Sequence, residues 1–230
     1  MFTCFVTSRA TEFRFALLAF GLLATLFVAW PQIDLAASGL FYRGEGQWVL
    51  ERHSRWLFLP YRGLPRIGQA LVVVLLALWL LSFVKRFQKL RARRVLFGFI
   101  LVSGLLGPVV LVDATLKEHS GRARPERIEQ FGGIRQFTPA FLVADQCEKN
   151  CSFVSGHVAT ASFIMAFGWL GAPAVRRRWL LASIGFGAFM ALARMAPGGH
   201  FLSDTIFAWF ATYFTLWLTE WLFRRLGWLP

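Results

Sequence analysis

The sequence predicts an all-α fold: a bundle of six transmembrane helices with both termini cytoplasmic, built as one integral membrane domain over residues 1–230. Three observations predict it. Of the 230 residues, 57% are hydrophobic and 16% charged, whereas an ordinary soluble domain carries about 45–50% apolar and about 25% charged residues. The apolar residues gather in six runs, each close to the roughly 20 residues that cover a hydrocarbon core. The Lys and Arg between those runs fall unevenly on the two sides.

The first run, FALLAFGLLATLFVAW, covers about 15–30. Its apolar stretch is longer than the core of a signal peptide and no small-x-small cleavage site follows promptly, so it is expected to be a retained helix. The outer segment from Pro31 to about Gly68 mixes Trp, Tyr, Phe and Arg. Such a mixture suits a headgroup-level segment anchored by aromatics, and equally a folded loop with surface aromatics. Further runs are expected over about 69–84, 95–116, 153–170, 179–195 and 201–223. The small residues of GFILVSGLLG and ASIGFGAFMALA allow the third and fifth to pack closely. Asp113, inside the third, would cost about 2.5–3.5 kcal/mol facing lipid, so it is expected to point into the bundle.

The net charge of +13 raises a nucleic-acid partner as one explanation. The basic residues instead form short clusters between apolar runs, which is an orientation signal. Thirteen of the 25 Lys and Arg, including Arg9, Arg14, the Lys85 to Arg94 cluster, Arg176 to Arg178, Arg224 and Arg225, share one side with only Glu12 and Glu220 among the 12 acids. That side is read as cytoplasmic, its cations as orientation signals and contacts to anionic lipid. The opposite, outer face is then periplasmic in a bacterium. Cys147 and Cys151 lie on that side, where a local disulfide is expected, two small buried thiols being the alternative. Cys4 has no partner nearby in sequence.

Ionisable and small polar residues recur at the outer ends of the third to sixth runs. KEHSGRARP places Lys117, His119, Arg122 and Arg124 just beyond the third. Basic residues at a membrane boundary also snorkel to headgroups, so this cluster alone decides little. CSFVSGHVATA opens the fourth with Ser152, Ser155, Gly156 and His157. A helix entrance of that kind presents free backbone N–H groups and its positive dipole end, a geometry suited to phosphate, although simple N-capping by a serine would also account for it. ARMAPGGHFLSD sets Arg194 before a Pro-Gly-Gly turn, then His200 and Asp204 four residues apart. On one helical face the carboxylate accepts one ring N–H and leaves the other ring nitrogen for a substrate. Three cations with helix amides match the charge spread over a transferring phosphoryl group. A metal site fits less well, because Arg and Lys interleave the His and Asp residues and oppose a divalent cation.

Lys117 with six residues before Arg124-Pro125, then Ser155-Gly156-His157, then Arg194 with five residues before His200 and three more before Asp204, resembles the three-part signature of the type 2 phosphatidic acid phosphatase family. The resemblance covers about 117–204 and implies a six-helix lipid phosphatase with its active site at the outer, periplasmic face. It implies that Lys117, Arg124 and Arg194 hold phosphate with Ser155 and the Gly156 amide, and that His200 is the nucleophile forming a phosphohistidine, oriented by Asp204. His157 would protonate the departing oxygen, with no metal or cofactor required, and a lipid phosphate in the membrane would be the substrate. His119 and Arg122, inside the first motif, are possible substrate contacts. Val154 stands where the family usually has Pro, and Ala193 where it usually has Ser, which removes a hydroxyl that would contact phosphate. The context FGGIRQFTP with NCSFVSGH looks most like the lipid A phosphatase group, the 4′-phosphatase type included. Undecaprenyl-diphosphate or phosphatidylglycerophosphate hydrolysis, or transfer to an acceptor lipid, are alternatives within the same chemistry. An anion-binding transporter is the alternative of another class. If one histidine must be neutral and the other protonated, the rate follows a bell over pH.

Overall fold

A computed structural model describes residues 9–51 and 54–229 of the chain. Cys4 and His53 lie outside the described residues. The protein is predominantly helical. Helix α1 covers Arg9–Ala29 and a short α2 follows at Gln32–Gly39. Tyr42–Gly44 (β1) and Gln47–Trp48 (β2) pair as an antiparallel ribbon. Helix α3 covers Arg55–Leu81, α4 Arg94–His119 and α5 Gly156–Gly168. Helix α6 covers Pro173–Met195 and α7 Leu202–Arg225.

By length and composition, α1, α3 and α4 are apolar enough to cross a membrane. Helices α6 and α7 are 23 and 24 residues long, about 35 Å at 1.5 Å per residue, but carry more polar and buried side chains. Helix α7 is the centre of the bundle. Phe207, Phe210, Tyr213, Leu216 and Phe223 are all buried on it, and α1, α4, α5 and α6 pack around them.

Several boundaries differ from the sequence expectation. Helix α3 starts near residue 55 rather than 69: Pro60 falls at the start of Leu59–Gly63, where the helix widens to i→i+5 bonding, and Pro65 in the first turn of the α-helical stretch that follows, so their missing N–H groups interrupt little. The last third of the supposed loop is therefore helix. Helix α4 also widens, over Leu105–Leu116 around Pro108. Helix α5 is shorter than the expected fourth run and finishes as a tight 3₁₀ segment, Phe163–Gly168. Helix α6 begins six residues early with Pro173 in its first turn, where a missing N–H costs nothing.

That early start changes the reading of Arg176, expected to be a surface orientation signal. It is buried: Nη2 and Nε donate to Glu12 at 2.7 and 3.1 Å, Nη1 to the Trp169 carbonyl at 3.0 Å, and the guanidinium stacks 3.7 Å over the Trp169 ring. Glu12 also accepts the Tyr213 hydroxyl, while Glu220 accepts from Arg9, Trp169 and Arg224. This cluster ties α1, α6 and α7 together at one end of the bundle. Arg177 and Arg178 remain exposed as expected.

Candidate active site

The opposite end of the bundle carries the three polar clusters, and backbone hydrogen bonds join them. Cys151 N–H donates to the Lys117 carbonyl at 3.0 Å, and Ser152 N–H to that of Arg122 at 2.9 Å. Ser155 N–H donates to the Asp204 carbonyl at 3.0 Å and Glu126 N–H to that of Gly198 at 3.0 Å. Backbone groups as far as 72 residues apart along the chain, Glu126 and Gly198, are thereby bonded. Glycine permits two of the approaches. Gly198 has φ +68, and a side chain there would meet the Trp48 ring at 2.4 Å. A Cβ on Gly156 would fall 2.5 Å from Asp113 Oδ1 and 3.5 Å from Lys117 Nζ, so the N-terminus of α5 sits directly against the end of α4.

His200 precedes α7 and is buried, 1% exposed. Its Nδ1–H donates to the Ser152 carbonyl at 2.8 Å, leaving Nε2 without a hydrogen-bond partner among the described residues. The expected acceptor, Asp204, is 3.6 Å away. Its carboxylate instead accepts the Ser152 hydroxyl at 2.5 Å, the Phe201 N–H at 2.8 Å and Arg122 Nη1 at 2.6 Å. Asp204 is therefore linked to the imidazole through Ser152, whose hydroxyl donates to the carboxylate and whose carbonyl accepts from the ring. The reason is geometric: Asp204 lies in the first turn of α7, where its carboxylate caps the free N–H of Phe201. Burial, with the charges of Arg194 and Arg124 in support, lowers the His200 pKa to about 3 against the pull of Asp204.

Arg194 and Arg124 act electrostatically on both His157 and His200, and Lys117 acts on His157. Arg194 is buried at the end of α6 with its guanidinium 4.0 Å over the Tyr61 ring. Arg124 donates to the Asn150 carbonyl and side-chain oxygen at 2.8 and 3.0 Å. Lys117 pairs with Asp113 at 3.2 Å. Ser155 occupies the N-cap of α5 without capping it, and its buried hydroxyl has no hydrogen-bond partner among the described residues. Simple N-capping therefore does not explain this serine. A buried hydroxyl beside free helix N–H groups and cations suits an anion. His157 is partly buried, with its ring 5.5 Å from that of Tyr61.

An apolar groove of about 780 Å³ leads to these groups. Leu71 and Leu75 of α3 and Leu101, Leu105 and Val109 of α4 line its length, and Asp113, Lys117, Gly156 and His157 line its polar part. Asp113 thus faces the groove, with its side chain 54% exposed, instead of being enclosed in the bundle.

Arg122 and His119, the two possible substrate contacts, differ in their surroundings. Arg122 is 1% exposed and occupied by protein acceptors: the Thr138 carbonyl, Ser203, Asp204 and Asp34. All four are protein groups, and no face of the guanidinium is left open to solvent. His119 is exposed, and its Nδ1–H donates to the Thr115 carbonyl one turn back. Cys147 and Cys151 form a disulfide. Sequence reasoning did not identify Asp34, Tyr61 or Asn150. Asp34 carries a signal in retrospect, as the lone charge of QIDLAASG. Burial pushes its carboxyl above the ordinary value, and the Arg122 guanidinium opposes that.

A family model described as the PAP2 superfamily matches residues 94–228. Among curated proteins, the chain is 35% identical over 205 residues to the "Lipid A 4'-phosphatase" of Francisella tularensis subsp. novicida (strain U112), covering 86% of this chain and 90% of that protein. It is 32% identical over 215 residues to the "Lipid A 4'-phosphatase" of Rhizobium etli, covering 83% and 79%. A Rhizobium leguminosarum protein of the same name is 38% identical over 109 residues, 47% of this chain and 46% of its own. No solved structure is significantly similar to the chain.

Proposed function

The chain belongs to the PAP2 superfamily, and from that premise we propose that it removes the 4′-phosphate of lipid A at the outer leaflet of a bacterial inner membrane. It is a membrane lipid phosphatase, a phosphoric monoester hydrolase. One observation carries the proposed site: backbone hydrogen bonds join the Lys117–Glu126, Cys151–His157 and Arg194–Asp204 segments.

In the proposed reaction Lys117, Arg124 and Arg194 neutralise the phosphoryl oxygens, assisted by the Ser155 hydroxyl and the Gly156 N–H. His200 Nε2 attacks phosphorus while the bond from phosphorus to the sugar oxygen breaks. His157 gives that oxygen a proton, and the dephosphorylated lipid leaves. Water, deprotonated by His157, then attacks the phosphohistidine, releasing phosphate and restoring His200. The groove along α3 and α4 offers apolar cover for acyl chains while the phosphate reaches Lys117 and His157.

The proposal includes one integral domain over residues 1–230, with α5, α6 and α7 added to the three apolar spans. Both termini are cytoplasmic and the site faces the periplasm. The asymmetry of Lys and Arg supports this orientation. So does the Cys147–Cys151 disulfide, which suits an oxidising compartment.

The test is incubation of the purified protein with lipid A, undecaprenyl diphosphate and phosphatidylglycerophosphate in parallel, with free phosphate assayed and the lipid products weighed by mass spectrometry. Loss of one phosphate from the 4′ position of lipid A is expected. Turnover of another lipid alone would reassign the substrate, and release from none would defeat the reading.

A further inference from the structure

Helix α2 lies outside the residues matched by the family model, yet it sends a fully buried carboxylate, Asp34, into the outer end of the bundle. Asp34 Oδ1 accepts the Ser203 N–H at 2.8 Å, and Oδ2 accepts the Ser203 hydroxyl and Arg122 Nη2, the latter at 2.8 Å. The other guanidinium nitrogen, Nη1, donates to Asp204 Oδ1 at 2.6 Å and to Ser203 Oγ at 2.9 Å. Asp204 Oδ2 accepts the Ser152 hydroxyl, and the Ser152 carbonyl accepts His200 Nδ1–H. An unbroken path therefore runs from Asp34 through Arg122, Asp204 and Ser152 to His200.

We propose that Asp34 is a positioning residue for the nucleophile: it clamps Arg122 from the side opposite Asp204 and so fixes the direction in which His200 Nε2 points. The proposal deepens the functional reading above and rests on His200 being the nucleophile. Its physical basis is the planarity of the guanidinium. Held by carboxylates at both ends, and lying 4.2 Å over the Phe201 ring, the Arg122 plane has no freedom to turn. The Asp204 carboxylate bonded to it is fixed in turn. Ser203, in the first turn of α7, is held at its backbone and its hydroxyl by the same carboxylate, which sets the start of the helix just after His200. Without Asp34, an incompletely compensated guanidinium would draw Asp204 toward itself and away from Ser152.

A merely stabilising role and a positioning role predict different kinetics. Misplacing a nucleophile by about 1 Å costs on the order of 10²-fold in rate, whereas the groups that grip phosphate, Lys117, Arg124 and Arg194, are not bonded to Asp34. The experiment compares wild type, Asp34→Asn and Ser203→Ala in detergent, measuring kcat and KM for the lipid phosphate, Ki for inorganic phosphate, and thermal unfolding. For Asp34→Asn, kcat is expected to fall about ten- to hundredfold, with KM and Ki within about twofold of wild type. Ser203→Ala, which keeps both carboxylates and the guanidinium, is expected to lose about threefold to tenfold in kcat alone. Should Asp34→Asn not fold, Ser203→Ala decides. Unchanged kcat in the folded variants, or losses that track only the unfolded fraction, would overturn the proposal. If wild type itself releases no phosphate, the functional reading has failed, which is a separate outcome.

Discussion

A histidine that attacks phosphorus must present a lone pair, and the burial of His200 keeps it in that neutral form down to a pKa of about 3. The acid limb of the bell expected from sequence therefore moves well below the ordinary histidine value. A stability effect follows from the same burial. The unfolded chain takes up a proton at His200 near the ordinary value of 6.5, and the folded chain only near 3. Between those values the unfolded state binds more protons, so folding stability falls as pH falls through that window. The melting temperature in detergent should drop between about pH 7 and about pH 4, and His200→Gln should drop less; equal drops would contradict the burial argument. For His157, the proposed acid, replacement by Ala should lower kcat by about 10²–10⁴ while the fold survives, as checked by phosphate release and circular dichroism. The motif residues were legible in the sequence because their spacing on helix ends is local. The hydrogen-bond partner of the His200 ring was not. Pairing four residues apart pointed to Asp204, but the carboxylate caps Phe201 and the ring turns to a carbonyl supplied from 48 residues earlier in the chain.

At the scale of elements, the loop ahead of α5 is the part most exposed to chemical change. The Cys147–Cys151 disulfide encloses Asn150, whose carbonyl and side chain hold Arg124 and whose N–H donates to Glu118. Opening the bridge in Cys147→Ser frees that loop and loosens Arg124. Losing a charged hydrogen bond costs about 1.5–3 kcal/mol, so KM for the lipid phosphate should rise about tenfold or more while kcat changes less. Steady-state kinetics check this, and an unchanged KM would show that Arg124 holds its place without the loop. The apolar runs forecast the existence of the helices. They did not forecast where α3 begins, because Pro60 and Pro65 read as loop residues, whereas the wider bonding of Leu59–Gly63 accommodates the first and the opening turn of Leu64–Leu81 the second. Tyr61 was hidden by the same misreading: it comes from helix yet sits under Arg194 and beside His157.

Across the whole molecule, two buried ionic clusters lie at opposite ends of α7. One, around Arg122, joins Asp34 to Asp204. The other, Glu12–Arg176 and Glu220 with Arg9 and Arg224, fastens α1 and α6 to the central helix. Removing one partner of such a pair leaves the other buried and uncompensated, at a cost of about 3–5 kcal/mol. Arg176→Ala should therefore lower the melting temperature in detergent markedly while kcat per folded molecule stays close to wild type; intact stability would make the cluster ornamental. Charge counting grouped Arg176 with Glu12, which it contacts, but gave no sign of its burial, because nothing in a run of three arginines tells which of them turns inward. The convergence of three distant segments is the claim on which the enzyme reading depends, and trapping the phosphorylated protein tests it most directly. Brief reaction with radiolabelled lipid phosphate, followed by alkaline quenching, should leave an acid-labile label on His200, with none in a folded His200→Ala variant. Label retained in that variant, or carried on another residue, would contradict the account.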